Sequence, residues 1–181
     1  MAFKIAMAVL VAAGALHWYG QAMAGMQPLI PPVEPACISS PFGPRVLRDH
    51  PQAGRYHYGI DLPAPAGAPV VAIASGKIIR IQKKGPGGLE VLVQHDGFIG
   101  IYSHLGAISP AFAEGKRDVA KGEKIAVVGR TGVVSGTHVY FEMIMQGKPV
   151  DPAPYLGLSP CRRETHQIVA SASPVLPPSI R

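Results

Sequence analysis

The sequence predicts an all-β domain, an antiparallel sheet folded into a small sandwich or half-barrel. Three observations lead there. Glycine (21) and proline (19) make up over a fifth of the 181 residues, a composition suited to short strands joined by tight turns and poor for long helices. Apolar residues reach 48% and charged residues only 15%, enough for one domain with a packed core. Short β-patterned runs recur between glycine and proline punctuation.

Six such runs stand out, at 69–74, 77–82, 89–94, 99–104, 124–128 and 139–145. Gly76, the stretch Gly85-Pro86-Gly87-Gly88, Asp96-Gly97, Gly129 and Gly147 divide them. Spacing of this kind describes an antiparallel sheet. Residues 106–121 read as a longer polar connection, the rim of a groove. No internal repeat and no amphipathic helix of useful length interrupts the pattern. Upstream, residues 25–36 carry four prolines without a hydrophobic period and read as an extended linker, with ordered structure beginning near Cys37. Residues 162–181 are aperiodic and read as a flexible tail.

Residues 1–24 have the pattern of a secretory signal. Lys4 supplies positive charge, residues 5–16 form an apolar run, and Ala22-Met23-Ala24 precedes Gly25 as a cleavage site. Those twelve residues extend about 18 Å as a helix, short of a bilayer core of roughly 30 Å. No cysteine follows the cleavage site directly to carry a lipid. A secreted or periplasmic protein without a membrane anchor is therefore expected. Export also makes the two cysteines interpretable. A bridge between Cys37 and Cys161 is favoured over two buried thiols, and closing so long a loop contributes about 5 kcal/mol at most. The formal charge of +6 favours loose attraction to anionic polymers such as cell-wall material. Export and the lack of a dense Lys/Arg stripe argue against nucleic acid as a partner.

Chemistry concentrates in three short pieces. In Thr137-His138-Val139-Tyr140-Phe141-Glu142, residues two apart share a face of a strand, so His138, Tyr140 and Glu142 stand opposite Val139, Phe141 and Met143. His57-Tyr58-Gly59-Ile60-Asp61 places a turn-forming glycine between an imidazole and a carboxylate, which can bring both to one metal. Alone, that spacing is more often a surface ion pair. The third piece is Tyr102-Ser103-His104-Leu105. His95 reads as structural, capping its own turn, and Arg45 either orients a carboxylate or is solvated, the solvated reading being preferred. His50 and His166 have no context that suggests a role.

Together, H-x-x-x-D, Y-x-H-L and the final H-x-(H)-F-E resemble the lysostaphin/LytM-type zinc metalloendopeptidases, peptidase family M23. The likeness covers residues 39–155. It includes Ser40-Pro41-Phe42-Gly43-Pro44-Arg45, which looks like the family's S-x-F-G-x-R approach to the first motif. The resemblance implies a duplicated-hybrid-like β fold and cleavage of peptidoglycan stem or cross-bridge peptides. It also implies zinc as cofactor. Matched position by position, His57 and Asp61 are metal ligands, His104 and His138 are the catalytic histidines, and Glu142 orients its neighbours.

The third ligand position of that family is Tyr140 here. A phenol with an ordinary pKa of about 10 costs roughly 4 kcal/mol to ionise near pH 7, whereas imidazole costs almost nothing. Two function classes follow from this departure. One is a working endopeptidase in which Tyr140, water or another group completes the metal shell. The other is a catalytically degenerate member that binds peptidoglycan or activates a partner cell-wall amidase without cutting.

Overall fold

Alternation of apolar and polar side chains along 138–145 organises the fold. Val139, Phe141 and Met143 are buried while His138, Tyr140 and Glu142 stay at the other face, as period-two geometry requires. The computed structural model describes residues 28–45 and 55–162. The predicted signal segment, all but Arg162 of the predicted tail, and His50 and His166 lie outside the described residues.

Among the described residues, twelve strands and two single-turn helices follow in order. They are β1 (Gly43–Pro44), β2 (Tyr56–His57), β3 (Ile60–Pro63), β4 (Pro69–Val71), β5 (Gly76–Lys83), β6 (Leu89–His95), β7 (Phe98–Ser103), β8 (Leu105–Ile108), helix α1 (Pro110–Ala113), β9 (Asp118–Val119), β10 (Lys124–Val128), β11 (His138–Met145), β12 (Lys148–Val150) and helix α2 (Ala153–Leu156). The main sheet runs β12-β11-β7-β6-β5-β9, with β3 also paired to β11, and a smaller sheet runs β4-β10-β8. Every pairing between these strands is antiparallel. The predicted all-β antiparallel fold is therefore what the chain adopts.

Between the two sheets lies one core that includes Ile60, Leu62, Val93, Tyr102, Ile125 and Phe141. Fully burying one such side chain contributes about 1.5–3 kcal/mol. Strand β11 holds the centre. On one edge it pairs with β7, and along the other with β3 and then β12. Gly59 lies where β3 enters this contact. A Cβ there would run into the backbone carbonyl of Phe141 and the ring of Tyr140, so only glycine allows the approach.

Two expectations are corrected. Residues 28–36 do not form an extended linker: the backbone bends through 32–35 and the segment docks on the body of the fold. Ile30 N–H donates to Ile73 O at 3.2 Å, Val71 N–H donates to Pro32 O at 2.9 Å, and Val33 is only 2% exposed. Isolated apolar residues between prolines have no period to read, yet Val33 joins the core and Leu29 packs against it. The connection at 106–121 likewise contains most of β8, helix α1 and β9, with Phe112 buried. The disulfide between Cys37 and Cys161 is present, closing a separation of 124 residues. Among the described residues, no helix is long and apolar enough to cross a membrane.

Candidate functional site

Strand register assembles the site. In the β3–β11 ladder Asp61 lies directly opposite Tyr140, and in the β11–β7 ladder Tyr140 lies opposite Ser103. Opposed residues share a face, and a residue two further along is the diagonal neighbour. His138 is that neighbour of Asp61, and its Nε2 lies 3.4 Å from Asp61 Oδ1. His57, four residues before Asp61 across the Gly59 turn, places its Nε2 3.3 Å from the same oxygen. His104 joins from the end of β7, its ring centre 4.8 Å from that of His138. The structure thus brings together His57, Asp61, His104, His138 and Tyr140.

Each of the three imidazoles is oriented through Nδ1 by a backbone carbonyl. His57 Nδ1 meets Pro41 O at 2.9 Å, with Ser40 Oγ at 3.3 Å. His104 Nδ1 meets Thr131 O at 3.0 Å, and His138 Nδ1 meets Gly136 O at 3.2 Å. A carbonyl only accepts, so each Nδ1 carries its proton, and Nε2 is the nitrogen at which each ring gains or loses one.

His104 adopts φ +64°, a left-handed conformation uncommon outside glycine, though histidine takes it more often than most residues, as asparagine and aspartate do. The surrounding chain enforces it. His104 N–H donates to Gly87 O at 2.9 Å, and Gly129 N–H donates to His104 O at 3.0 Å. Thr131 braces the same corner, its hydroxyl accepting from Leu89 N–H and donating to Leu105 O, both at 2.8 Å. Thr131 was not singled out from sequence. Its place in Gly129-Arg130-Thr131-Gly132, just before the last strand, was the available signal.

Electrostatics divide the groups. Burial, with the charge of His138, holds His104 below the ordinary imidazole range. Burial pushes the Asp61 carboxyl up, but the hydrogen bond and charge of His57 and the charges of His138 and Arg45 outweigh it, so Asp61 ends below its usual value. Arg45 is accordingly half-buried and acts on the site electrostatically, a correction to its solvated reading. His95 is buried, as a structural histidine should be. It does not cap its own turn, however, and reaches Ser75 O at 3.0 Å and the Tyr102 hydroxyl at 3.4 Å.

Tyr140 stands where the family resemblance puts the third metal ligand. Its hydroxyl donates to Glu142 Oε2 at 2.8 Å. Burial, then the charge of Glu142, pushes the phenol far above its ordinary pKa. A neutral phenol already donating to a carboxylate does not fit as a zinc ligand, so the set His57, Asp61 and Tyr140 does not reproduce a three-ligand centre. Among the described residues, no three His, Cys, Asp or Glu side chains surround one point closely enough to hold a metal as they stand. Behind Tyr140, a polar row continues across the sheet. Ser103 Oγ donates to Glu90 Oε1 at 2.8 Å, and Gln82 Nε2 donates to Glu90 Oε2 at 2.6 Å. An open hollow of about 220 Å³ is lined by Phe42, Tyr56, Tyr58 and Pro149, with Tyr56 and Tyr58 on either side of His57 in sequence.

Comparison with known proteins places this geometry in context. The sequence profile of peptidase family M23 matches residues 55–152, just over half of the chain. The DD-carboxypeptidase/endopeptidase Mpg of Neisseria meningitidis is 42% identical over 118 residues, covering 64% of this chain and 26% of that protein. A zinc-containing peptidase from Vibrio cholerae superimposes with a TM-score of 0.59 at 33% identity, covering 72% of this chain and 40% of that one. The catalytic domain of lysostaphin from Staphylococcus simulans also gives 0.59, at 28% identity, covering 67% of this chain and 92% of that one. The chain spans about a quarter of the length of several curated relatives that it matches, the Neisseria protein among them.

Proposed function

The chain belongs to peptidase family M23, and from that premise we propose that it is an exported endopeptidase acting on the peptide cross-links of peptidoglycan. One observation carries the reading. His57, Asp61, His104 and His138, drawn from three separate segments, meet at one end of β11 with their imidazoles oriented by backbone carbonyls. Prearranged groups of this kind suit peptide hydrolysis, where a water must lose a proton as it attacks a carbonyl.

In this account His104 handles the proton. Burial keeps its ring neutral at pH 7, and with Nδ1–H committed to Thr131 O the acceptor is Nε2. His138, in edge contact with His104, occupies the second position that the family resemblance assigns to catalysis. Asp61, below its ordinary pKa, remains a carboxylate throughout that range. Zinc is the metal the resemblance implies, and relatives named as peptidoglycan DD-endopeptidases from Vibrio cholerae support peptidoglycan peptides as substrate. The apolar run and cleavage pattern in residues 1–24 support export to a periplasmic or extracellular space.

One specific observation favours a second reading, wall binding or activation of a cell-wall amidase without cleavage: Tyr140 stands at a ligand position with its hydroxyl committed to Glu142. The endopeptidase names of the relatives favour the first. Incubation with purified cross-linked peptidoglycan separates them. Soluble fragments released in a chelator-sensitive reaction are expected. Wall binding or amidase stimulation with no fragments released would replace the first reading by the second.

A further inference from the structure

Two glycine-rich loops hold His104 at its backbone and at its ring. Its N–H donates to Gly87 O at 2.9 Å, its carbonyl accepts from Gly129 N–H at 3.0 Å, and its Nδ1 donates to Thr131 O at 3.0 Å. Gly87 belongs to the turn between β5 and β6, and Gly129 and Thr131 to the approach to β11. Resting on the peptidase reading, we propose that Thr131 is a positioning residue of the hydrolysis. Its hydroxyl locks the two loops together and thereby fixes the imidazole to which its own carbonyl is bonded.

Thr131 Oγ1 accepts from Leu89 N–H and donates to Leu105 O, both at 2.8 Å. Leu89 opens β6 at the end of one loop, and Leu105 opens β8 directly after His104. A hydroxyl can donate and accept at once, and here it does both. Valine in its place would leave Leu89 N–H and Leu105 O without this partner. The loops also nest without clearance. A Cβ on Gly88 would come within 2.4 Å of Thr131 C and 2.5 Å of Thr131 Oγ1, and one on Gly132 within 2.2 Å of Pro86 O. Both glycines have positive φ, +68° and +80°, so backbone shape and space alike call for glycine. Val133 N–H closes the contact by donating to Pro86 O at 2.8 Å. The left-handed backbone of His104 persists because its surroundings hold it from several sides. Thr131 joins those surroundings to the ring.

A ring moved by about 1 Å carries Nε2 out of line with the proton it takes, and misplacement of that order costs about 10²-fold in rate. The experiment compares Thr131→Val, which keeps the shape without the hydroxyl, with Thr131→Ser, which keeps the hydroxyl. Thr131→Ala repeats the comparison should valine impair folding, which thermal unfolding reports. Rates are measured on a purified cross-linked muropeptide dimer, below the unfolding temperature of each chain. NMR of the ¹⁵N-ring-labelled full chain follows the His104 Nδ1–H proton without substrate. In the valine variant kcat should fall roughly 10- to 100-fold with KM within about twofold. The Nδ1–H signal, protected in the natural chain, should exchange faster or vanish, and serine should restore both. A valine variant that is merely less stable, with natural kcat and ring signal, would overturn the proposal. So would a serine variant as impaired as valine, a change in KM alone, or a natural chain without a protected signal. A natural chain that cuts nothing ends the peptidase reading, and the ring signal across the same chains then decides whether Thr131 positions His104.

Discussion

The Tyr140 hydroxyl donates to Glu142 Oε2 at 2.8 Å, joining two residues on the same face of β11. This bond settles what Tyr140 does with its only polar atom. It also gives a partner to a half-buried carboxylate that burial and the nearby Glu90 already push above its ordinary pKa.

Removing the hydroxyl should therefore cost stability. Tyr140→Phe leaves Glu142 without its donor, and a hydrogen bond to a charged group contributes about 1.5–3 kcal/mol. Chemical denaturation is expected to show a loss of about that size. A change below about 0.5 kcal/mol would mean that water replaces the phenol without penalty.

His104→Ala separates proton handling from assembly of the site. His104 faces Thr131 and His138 and makes no contact with Asp61 comparable to those of His57 and His138. Peptidoglycan hydrolysis should fall about 10²–10⁴-fold, the usual worth of a general acid or base, while zinc content stays unchanged. Zinc lost together with activity would assign His104 a structural part in the metal centre.

Much of the fold was legible because apolar alternation leaves a readable period. The six expected runs correspond to β4, β5, β6, β7, β10 and β11, most within a residue or two at each end. The shorter strands β1, β2, β9 and β12 span only two or three residues, too few to establish a period, and are defined by the strand each pairs with. Val33 was missed for a related reason. A single valine among prolines becomes core only when the smaller sheet lies beneath it. The candidate cluster was legible through spacing, since His57 and Asp61 bracket a glycine and His138 and Tyr140 share a strand face. What Tyr140 does with its hydroxyl was not, because the Glu142 bond depends on rotamers and on burial set by neighbouring strands.

The docked amino-terminal segment makes its own prediction. Val33 is 2% exposed in the core, so Val33→Ala should destabilise by about 2 kcal/mol through lost burial and the cavity left behind. The same change in a solvated linker would stay within about 0.5 kcal/mol. Thermal unfolding of the variant decides between them.

His95 should make stability depend on pH. Burial holds its folded-state pKa below the ordinary imidazole value of 6.5, so between the two values the unfolded chain binds more protons. Stability from this group is then fully present above about pH 6.5 and is lost as pH falls through the folded-state value. A His95→Gln variant, although less stable at pH 8, should show a shallower decline than the natural protein between pH 7 and 5. Parallel declines by chemical denaturation would place the titration elsewhere.

The central claim is that the cluster around Asp61 cuts peptide cross-links. The most direct measurement is mass spectrometry of muropeptides after the zinc-supplied protein has acted on purified cross-linked peptidoglycan, with His104→Ala run alongside. Conversion of cross-linked dimers to monomers is expected, with a new amino terminus at the former cross-link, abolished by chelator and lost in the variant. Dimers that persist unchanged with zinc bound to the natural protein would contradict it.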